Sequence, residues 1–268
     1  MIRIHRGPEP AALRPIRAAE LARVRPLAVP GPLTREDLGR RYGEVRPALR
    51  TVQHAKCCYC ERNNLEASFE AVEHYRPAIR ARRGAAFPEH GYWWLAWTWR
   101  NLLFSCRPCN SAHKGDHFPL DLAGGALSAE ETPPGAEQPL LIDPATGDPI
   151  RHIRFTHLPA LPSGRWRPFP RDGSVRGDWT IRTLGLDRPD LLDLYDRHVA
   201  EYLRPVLDRL NEAVAERDRA LAQGIWTKQA LAWLKPQRPF AALSFDVFDQ
   251  LVPRATRRRW GLSLRRVR

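Results

Sequence analysis

The chain has 268 residues, of which 43 are Lys or Arg and 30 are Asp or Glu, so its formal net charge is +13. This length can bury an apolar core, and the sequence contains no apolar run long enough to cross a membrane. The excess of positive charge favours a polyanionic partner, because basic residues laid against phosphates release counterions. The sequence thus argues against a membrane protein and for a partner such as nucleic acid.

Residues 1–45 are rich in Pro and Arg and predict an N-terminal arm with helices that wrap a core. One helix is expected near 12–25. A second is expected from Thr34, a residue type that caps helix N-termini, through Tyr42 to Leu49.

Residues 46–120 predict the central unit of the chain. Alternation over 68–75 indicates a strand, and the apolar run 102–105 indicates another. The aromatic-rich stretch 91–100 indicates a helix, and a further helix is expected to begin near Cys109. Four tryptophans are expected to pack in the core rather than to stack on bases: Trp93, Trp94, Trp97 and Trp99.

Residues 121–186 predict a linker and a small β region. The stretch 124–139 combines Pro and Gly with acidic residues, which is typical of a surface loop. Short strands are expected at four places: 140–142, 150–155, 165–169 and 177–181.

Residues 187–268 predict a mainly helical region with a basic tail. Apolar residues at three- and four-residue steps indicate a long helix that begins near Pro189, kinks or splits at Pro205 and ends at Gly224. Two short helices are expected after it, at 230–234 and 240–251. The arginine-rich end of the chain is expected to be either a phosphate-binding arm or a solvated tail.

Two Cys-x-x-Cys pairs are the strongest functional signal, Cys57/Cys60 and Cys106/Cys109. Four thiolates at this spacing are typical of a tetrahedral Zn²⁺ site. Because the pairs lie 45 residues apart, the metal is expected to join the two ends of an inserted unit. The fifth cysteine, Cys58, stays outside this set. Reduced cysteines without an apolar N-terminal segment are typical of a soluble, cytoplasmic protein.

The residues between and beside these pairs resemble the HNH endonucleases of the ββα-metal type. More narrowly, they resemble the HNH effector subunit of Septu-type and retron-linked phage-defence systems (PtuB-like). The resemblance is carried by the segments 57–61, 72–77, 92–97, 101–103, 106–110 and 114–116, and it extends with less specific matches over roughly residues 1–215. It implies an α+β fold: a ββα-metal HNH core stapled by a four-cysteine zinc site, with an N-terminal helical wrap and a mainly helical C-terminal part.

The central pair Glu73 and His74 carries the expected chemistry. A histidine with a pKa near neutrality can take a proton from water, so His74 is expected to be the general base. Strand alternation alone would place Glu73 on the opposite face. The resemblance implies that the end of the strand nevertheless lets Glu73 bind the catalytic metal.

Two asparagines complete the expected site. By resemblance, the side-chain amide of Asn101 bonds the backbone of the loop that carries the base and fixes its direction. Asn110 follows the last cysteine and is expected to bind the catalytic metal together with Glu73. His113, three residues further along that helix, is the rival ligand.

The expected metals differ between the two sites. Oxygen ligands from Glu and Asn suit Mg²⁺ or Mn²⁺, whereas thiolates suit Zn²⁺. Arg76, Arg80 and Lys114 are expected to contact nucleic-acid phosphates.

The expected activity is metal-dependent hydrolysis of phosphodiester bonds in DNA, as the effector of an anti-phage system. By resemblance, a neighbouring ATPase subunit is a partner. An RNA-directed nuclease shares every one of these residues. A zinc-dependent nucleic-acid-binding or scaffold protein that does not cut is the non-enzymatic alternative.

Overall fold

The computed structural model describes residues 1–28, 33–63, 66–84 and 89–265, whose helices and strands are mostly short. They form two units: one is Ile4–Gly147, and the other is Asp148–Arg268 together with Met1–Arg3. Helices dominate, and the strands pair into two-stranded antiparallel sheets. No helix of the described residues is both long and apolar enough to span a bilayer.

Helix α1 (Leu13–Ala28) confirms the first predicted helix. Its buried face includes Leu13, Ile16 and Val24, which join the apolar core of this unit. Part of the connection that follows, residues 29–32, lies outside the described residues.

Thr34 begins a helix as predicted, but the helix is shorter than expected. Helix α2 (Arg35–Leu38) starts with a capping box, in which the Thr34 hydroxyl accepts from the Asp37 amide and the Asp37 carboxylate accepts from the Thr34 amide. The prediction that this helix runs on to Leu49 is wrong. Gly39 has a φ of +68° and ends it, because a left-handed residue cannot continue a right-handed helix.

The chain then continues as a 3₁₀ turn (Arg41–Val45) and helix α3 (Arg46–Val52). The strands of this unit are β1 (Glu70–His74), β2 (Arg80–Ala81), β3 (Glu89–His90) and β4 (Leu102–Cys106). β1 and β4 confirm the two predicted strands. They pair antiparallel, with Glu73 opposite Leu103. A π-helical segment (Pro108–Lys114) follows β4 directly.

The helix predicted over 91–100 is wrong. The chain there makes two 3₁₀ turns, Trp93–Leu95 and Trp99–Asn101. Gly91, at the start of this stretch, lies close to an earlier segment. A Cβ on it would lie 2.5 Å from the backbone of Ala78 and Ile79, so only glycine fits there. The tryptophans are core residues, as expected: Trp94, Trp97 and Trp99 are buried, and Trp93 packs against the same cluster.

The described residues of the second unit contain one sheet and several helices. Strands β5 (Ile153–His157) and β6 (Trp166–Pro170) pair antiparallel and confirm two of the predicted strands. The helices of this unit are α4 (Val175–Leu184), α5 (Pro189–His198), α6 (Arg204–Ala215), α7 (Arg219–Ile225), α8 (Ala241–Leu251) and α9 (Arg254–Trp260).

The strands predicted at 140–142 and 177–181 are wrong. Residues 177–181 lie in α4, because Ser174 caps this helix by accepting from the amide of Gly177. Gly177 is there for space: a Cβ would lie 2.1 Å from the carbonyl oxygen of His152.

The long predicted helix is divided. A π-helical segment (Val199–Leu203) separates α5 from α6 just before Pro205, which fits the predicted disruption. The predicted stop at Gly224 is wrong, because α6 already ends at Ala215 and α7 runs through Gly224. Of the two short helices predicted next, α8 confirms the second, whereas 3₁₀ turn Leu231–Leu234 occupies the place of the first.

Candidate metal centre and active site

The four predicted zinc ligands converge in one buried cluster. The sulfur atoms of Cys57, Cys60, Cys106 and Cys109 all lie within 4.8 Å of one another, and the Sγ atoms of Cys60 and Cys106 are 3.8 Å apart. Tetrahedral Zn²⁺ with Zn–S bonds of about 2.3 Å places its ligands about 3.8 Å from each other. The donor set and its spacing therefore fit a structural zinc ion.

The turn that carries the first pair is fixed to its surroundings by the backbone. The Cys58 amide donates to the carbonyl of Phe104 in β4 at 3.0 Å, and the Cys57 amide donates to the carbonyl of Arg62 at 2.9 Å. Burial raises the pKa of the Cys58 thiol, which lies outside the cluster. The sequence assignment of Cys58 as the spare cysteine agrees with this arrangement.

The π-helical segment contacts three consecutive residues of β1. Asn110 Nδ2 donates to the Val72 carbonyl at 3.2 Å. Lys114 Nζ lies 2.6 Å from Glu73 Oε1 and donates to the His74 carbonyl at 2.9 Å. The π-helical segment therefore lies against β1, with Lys114 paired to the Glu73 carboxylate and Asn110 bonded to the backbone of the residue before it.

Glu73 is a buried carboxylate, 1% exposed, with a positive partner. Burial raises its pKa, and the Lys114 ammonium opposes that rise. The Tyr59 hydroxyl also donates to Glu73 Oε1, at 3.2 Å. Both donors thus meet the same carboxylate oxygen.

The side chain of His74 makes its contacts elsewhere. Its Nε2 lies 2.9 Å from the Ala96 carbonyl, and its ring packs edge-on to Tyr42 at 4.5 Å. Because a carbonyl only accepts, Nε2 carries the proton in this bond and Nδ1 keeps the lone pair. Burial lowers the pKa of His74 to about 4. The imidazole is therefore neutral at neutral pH, with its lone pair on Nδ1. Its pKa is lower than the near-neutral value on which the sequence assignment as a general base depended.

Asn101 is buried and bonds the backbone just after His74. Its Oδ1 accepts from the Arg76 amide at 2.8 Å, and its Nδ2 donates to the Arg76 carbonyl at 3.0 Å. The same amide group lies 3.3 Å from the Leu95 carbonyl. Asn101 therefore ties the segment after β1 to the turn that precedes β4.

The three basic residues expected at phosphates lie in different surroundings. Arg76 is buried and pairs with Glu137 at 2.7 Å. Lys114 is 1% exposed, within its contact to Glu73. Arg80 is exposed. His113, the rival metal ligand, is partly exposed on the π-helical segment.

Sequence reasoning missed two residues of this region. Tyr59 lies inside the first cysteine pair, and only its position between two ligands marks it in the sequence. Glu137 pairs with Arg76 and accepts from the Tyr92 hydroxyl. It belongs to the stretch 124–139, whose surface-loop composition hides a buried charge.

Comparison with known proteins gives one informative similarity. The Septu protein PtuB of Bacillus mycoides (strain KBAB4) is 33% identical to this chain over 153 residues, which are 56% of this chain and 48% of that protein. The chain thus spans about half the length of the curated relative that it matches. No protein-family model matches this chain.

Proposed function

We propose that this protein is a metal-dependent HNH endonuclease that hydrolyses phosphodiester bonds of DNA. The observation that carries the proposal is the packing of the π-helical segment against β1 beside the four-cysteine cluster, with Asn110 bonded to the Val72 carbonyl and Lys114 paired with Glu73. An antiparallel strand pair followed by a short helix is the arrangement that a ββα-metal core requires. We infer that residues 46–120 form this core.

The chain's own residues divide the expected work. His74 takes a proton from the attacking water at Nδ1, since Nε2 is held by the Ala96 carbonyl. Asn101 fixes the backbone that follows the base through its two bonds to Arg76. Of the three basic residues expected at phosphates, Arg80 is the exposed one and is therefore the one proposed to meet a phosphate.

The oxygen donors of Glu73 and Asn110 suit Mg²⁺ or Mn²⁺. Such an ion, when bound, neutralises charge on the scissile phosphate. The Glu73 carboxylate would then be shared with the Lys114 ammonium, which already lies 2.6 Å from Oε1. The metal affinity of the site is therefore expected to depend on how Lys114 and Tyr59 hold the Glu73 carboxylate.

The similarity to the Septu protein PtuB supports an anti-phage role. We infer that the protein is the DNA-cutting effector of such a system and works in the cytoplasm with an ATPase partner. We further infer that the chain divides into an N-terminal arm (1–45), the nuclease core (46–120), a linker and small β region (121–186) and a helical region (187–268).

One observation favours a second function, a nucleic-acid-binding protein that does not cut. Glu73 and Lys114 are both buried and neutralise each other, as a purely structural ion pair would. The two functions differ in whether cleavage occurs and whether it depends on His74.

The test is cleavage of supercoiled plasmid with Mg²⁺ or Mn²⁺, by wild type, His74→Ala and His90→Ala, each with and without the ATPase partner. His90 is exposed in the same unit and serves as the matched control. We expect His74→Ala to lower the rate by roughly 10²- to 10⁴-fold with unchanged zinc content, and His90→Ala to cut normally.

Parallel reactions with single-stranded DNA and RNA identify the substrate. Preferential cleavage of RNA would replace DNA as the substrate while leaving the catalytic residues in place. Binding without cleavage of any nucleic acid, under every metal and partner condition, would instead establish the second function.

A further inference from the structure

Tyr59 lies inside the first zinc-binding turn and points its hydroxyl at Glu73. The residue is 1% exposed, and its hydroxyl donates to Glu73 Oε1 at 3.2 Å. A buried phenol needs a hydrogen-bond partner, and here the partner is the residue proposed to bind the catalytic cation.

The position of Tyr59 depends on the zinc-binding turn. Its neighbour Cys60 belongs to the four-cysteine cluster, and its other neighbour, Cys58, is bonded through its amide to the Phe104 carbonyl. The backbone on both sides of Tyr59 is therefore fixed, and burial of the phenol restricts it to its place beside Glu73.

Two donors from two different segments hold the same carboxylate oxygen. Lys114 reaches Glu73 Oε1 from the π-helical segment, and Tyr59 reaches it from the zinc-binding turn. Donors from separate directions restrict rotation of the carboxylate. A ligand whose orientation is fixed in advance loses less entropy when it binds a metal.

We propose that Tyr59 is a positioning residue that couples the structural zinc site to the catalytic metal site, by holding the Glu73 carboxylate in the orientation that binds Mg²⁺ or Mn²⁺. The inference rests on the proposed function. It adds that the zinc-binding turn contributes directly to catalytic metal affinity, in addition to stabilising the fold.

The test compares Tyr59→Phe with Tyr75→Phe in the zinc-loaded, full-length protein. Tyr75 is also buried, and its hydroxyl donates to the Leu141 carbonyl at 2.8 Å, so Tyr75→Phe removes a buried hydroxyl away from Glu73. Mn²⁺ affinity is measured by calorimetric titration, and plasmid cleavage is measured as a function of Mn²⁺ concentration. Zinc content and melting temperature are recorded for every protein.

We expect Tyr59→Phe to weaken Mn²⁺ binding roughly 10-fold, within the range known for groups that orient metal ligands. Its cleavage rate should recover at saturating Mn²⁺, which a general loss of structure would not allow. Zinc content should stay at one ion per chain, and Tyr75→Phe should bind Mn²⁺ like the wild type.

If the wild type binds Mn²⁺ and Tyr59→Phe binds it with the same affinity, the coupling is overturned. The proposed function then stays intact. Loss of zinc in Tyr59→Phe would also overturn it, since the hydroxyl would then serve the turn itself. A wild type that neither binds Mn²⁺ nor cuts would refute the proposed function, and the coupling with it.

Discussion

The two units of this protein bury different kinds of groups. In Ile4–Gly147, four described ion pairs are largely withdrawn from water: Arg6–Asp143, Lys56–Glu61, Arg76–Glu137 and Lys114–Glu73. The unit Asp148–Arg268 is built mainly from apolar helix faces, such as that of α6 with Leu207 and Leu210. Its most buried described ion pair joins Arg171 to Asp246.

This difference separates two ways of specifying structure. Apolar faces tolerate rearrangement as long as volume is preserved. Buried charges require a particular partner at a particular place, because an unpaired charge in the interior is costly. The unit Ile4–Gly147, which adds buried ion pairs to its apolar core, is therefore suited to hold a few polar side chains in fixed positions.

The largest expected effect comes from breaking the cysteine cluster. Cys109→Ser should lose zinc, and amides over 57–114 should exchange hydrogen rapidly while α8 stays protected. The physical reason is that binding of structural zinc supplies about 10–16 kcal/mol in zinc-finger peptides. Hydrogen exchange with mass spectrometry and metal analysis provide the measurement. Cys58→Ser is the matched control and should keep both zinc and protection.

The next effect concerns a single buried charge. Lys114→Met leaves the Glu73 carboxylate without its ammonium partner and should lower the free energy of unfolding by about 3–5 kcal/mol. Urea denaturation measures it. The double variant with Glu73→Gln removes the stranded charge as well and should recover part of the loss. No recovery would mean that the two residues act independently.

In the unit Asp148–Arg268, Asp246 is expected to make the free energy of unfolding depend on pH. Burial raises its pKa to about 6, even though Arg171 and the Phe155 amide favour the ionised form. A raised pKa in the folded state contributes stability below the unfolded pKa, and this contribution is lost as the pH rises through about 6. The free energy of unfolding of wild type relative to Asp246→Asn should thus fall by on the order of 3 kcal/mol from acid to neutral pH.

Urea titrations of both proteins across this pH range provide the measurement. Asp193→Asn changes an exposed carboxylate on α5 and is the control. If the free energy of unfolding changes equally with pH in Asp246→Asn and in the wild type, Asp246 is not the group responsible.

The smallest effect belongs to an exposed pair. Arg182 and Asp178 on α4 lie 2.6 Å apart, with 75% and 37% of their side chains exposed. Arg182→Ala should change the free energy of unfolding by at most about 0.5 kcal/mol, because water already solvates both groups. Thermal and urea unfolding measure it beside Lys114→Met. A similar loss in both variants would erase the distinction between buried and exposed pairs.

Local signals in the sequence predicted much of the secondary structure. The capping residue Thr34 and the apolar runs of β4 and α8 depend on neighbours in the chain, so their positions were accessible. The strand prediction over 177–181 failed, because Gly177 lies in α4 and its small size serves contact with the distant His152 carbonyl.

The candidate site was likewise predictable from the sequence only in part. Cysteine spacing predicted the metal cluster, because two ligands of each pair are close in sequence. The partners of Arg76 and Lys114 were not accessible, since Glu137 lies 61 residues from Arg76 and Lys114 meets Glu73 only after the chain folds. The roles of His74, Glu73, Asn101 and Asn110 remain predictions for the experiments above.

The contacts of the π-helical segment with Val72, Glu73 and His74 impose a constraint on chain length. One residue inserted into β1 would move Glu73 to the face now occupied by its neighbours, since side chains alternate along a strand. The same insertion at the exposed stretch near Ala126 would only lengthen a loop. Length variation among natural homologues should therefore be concentrated in that loop and be absent from the five residues of β1.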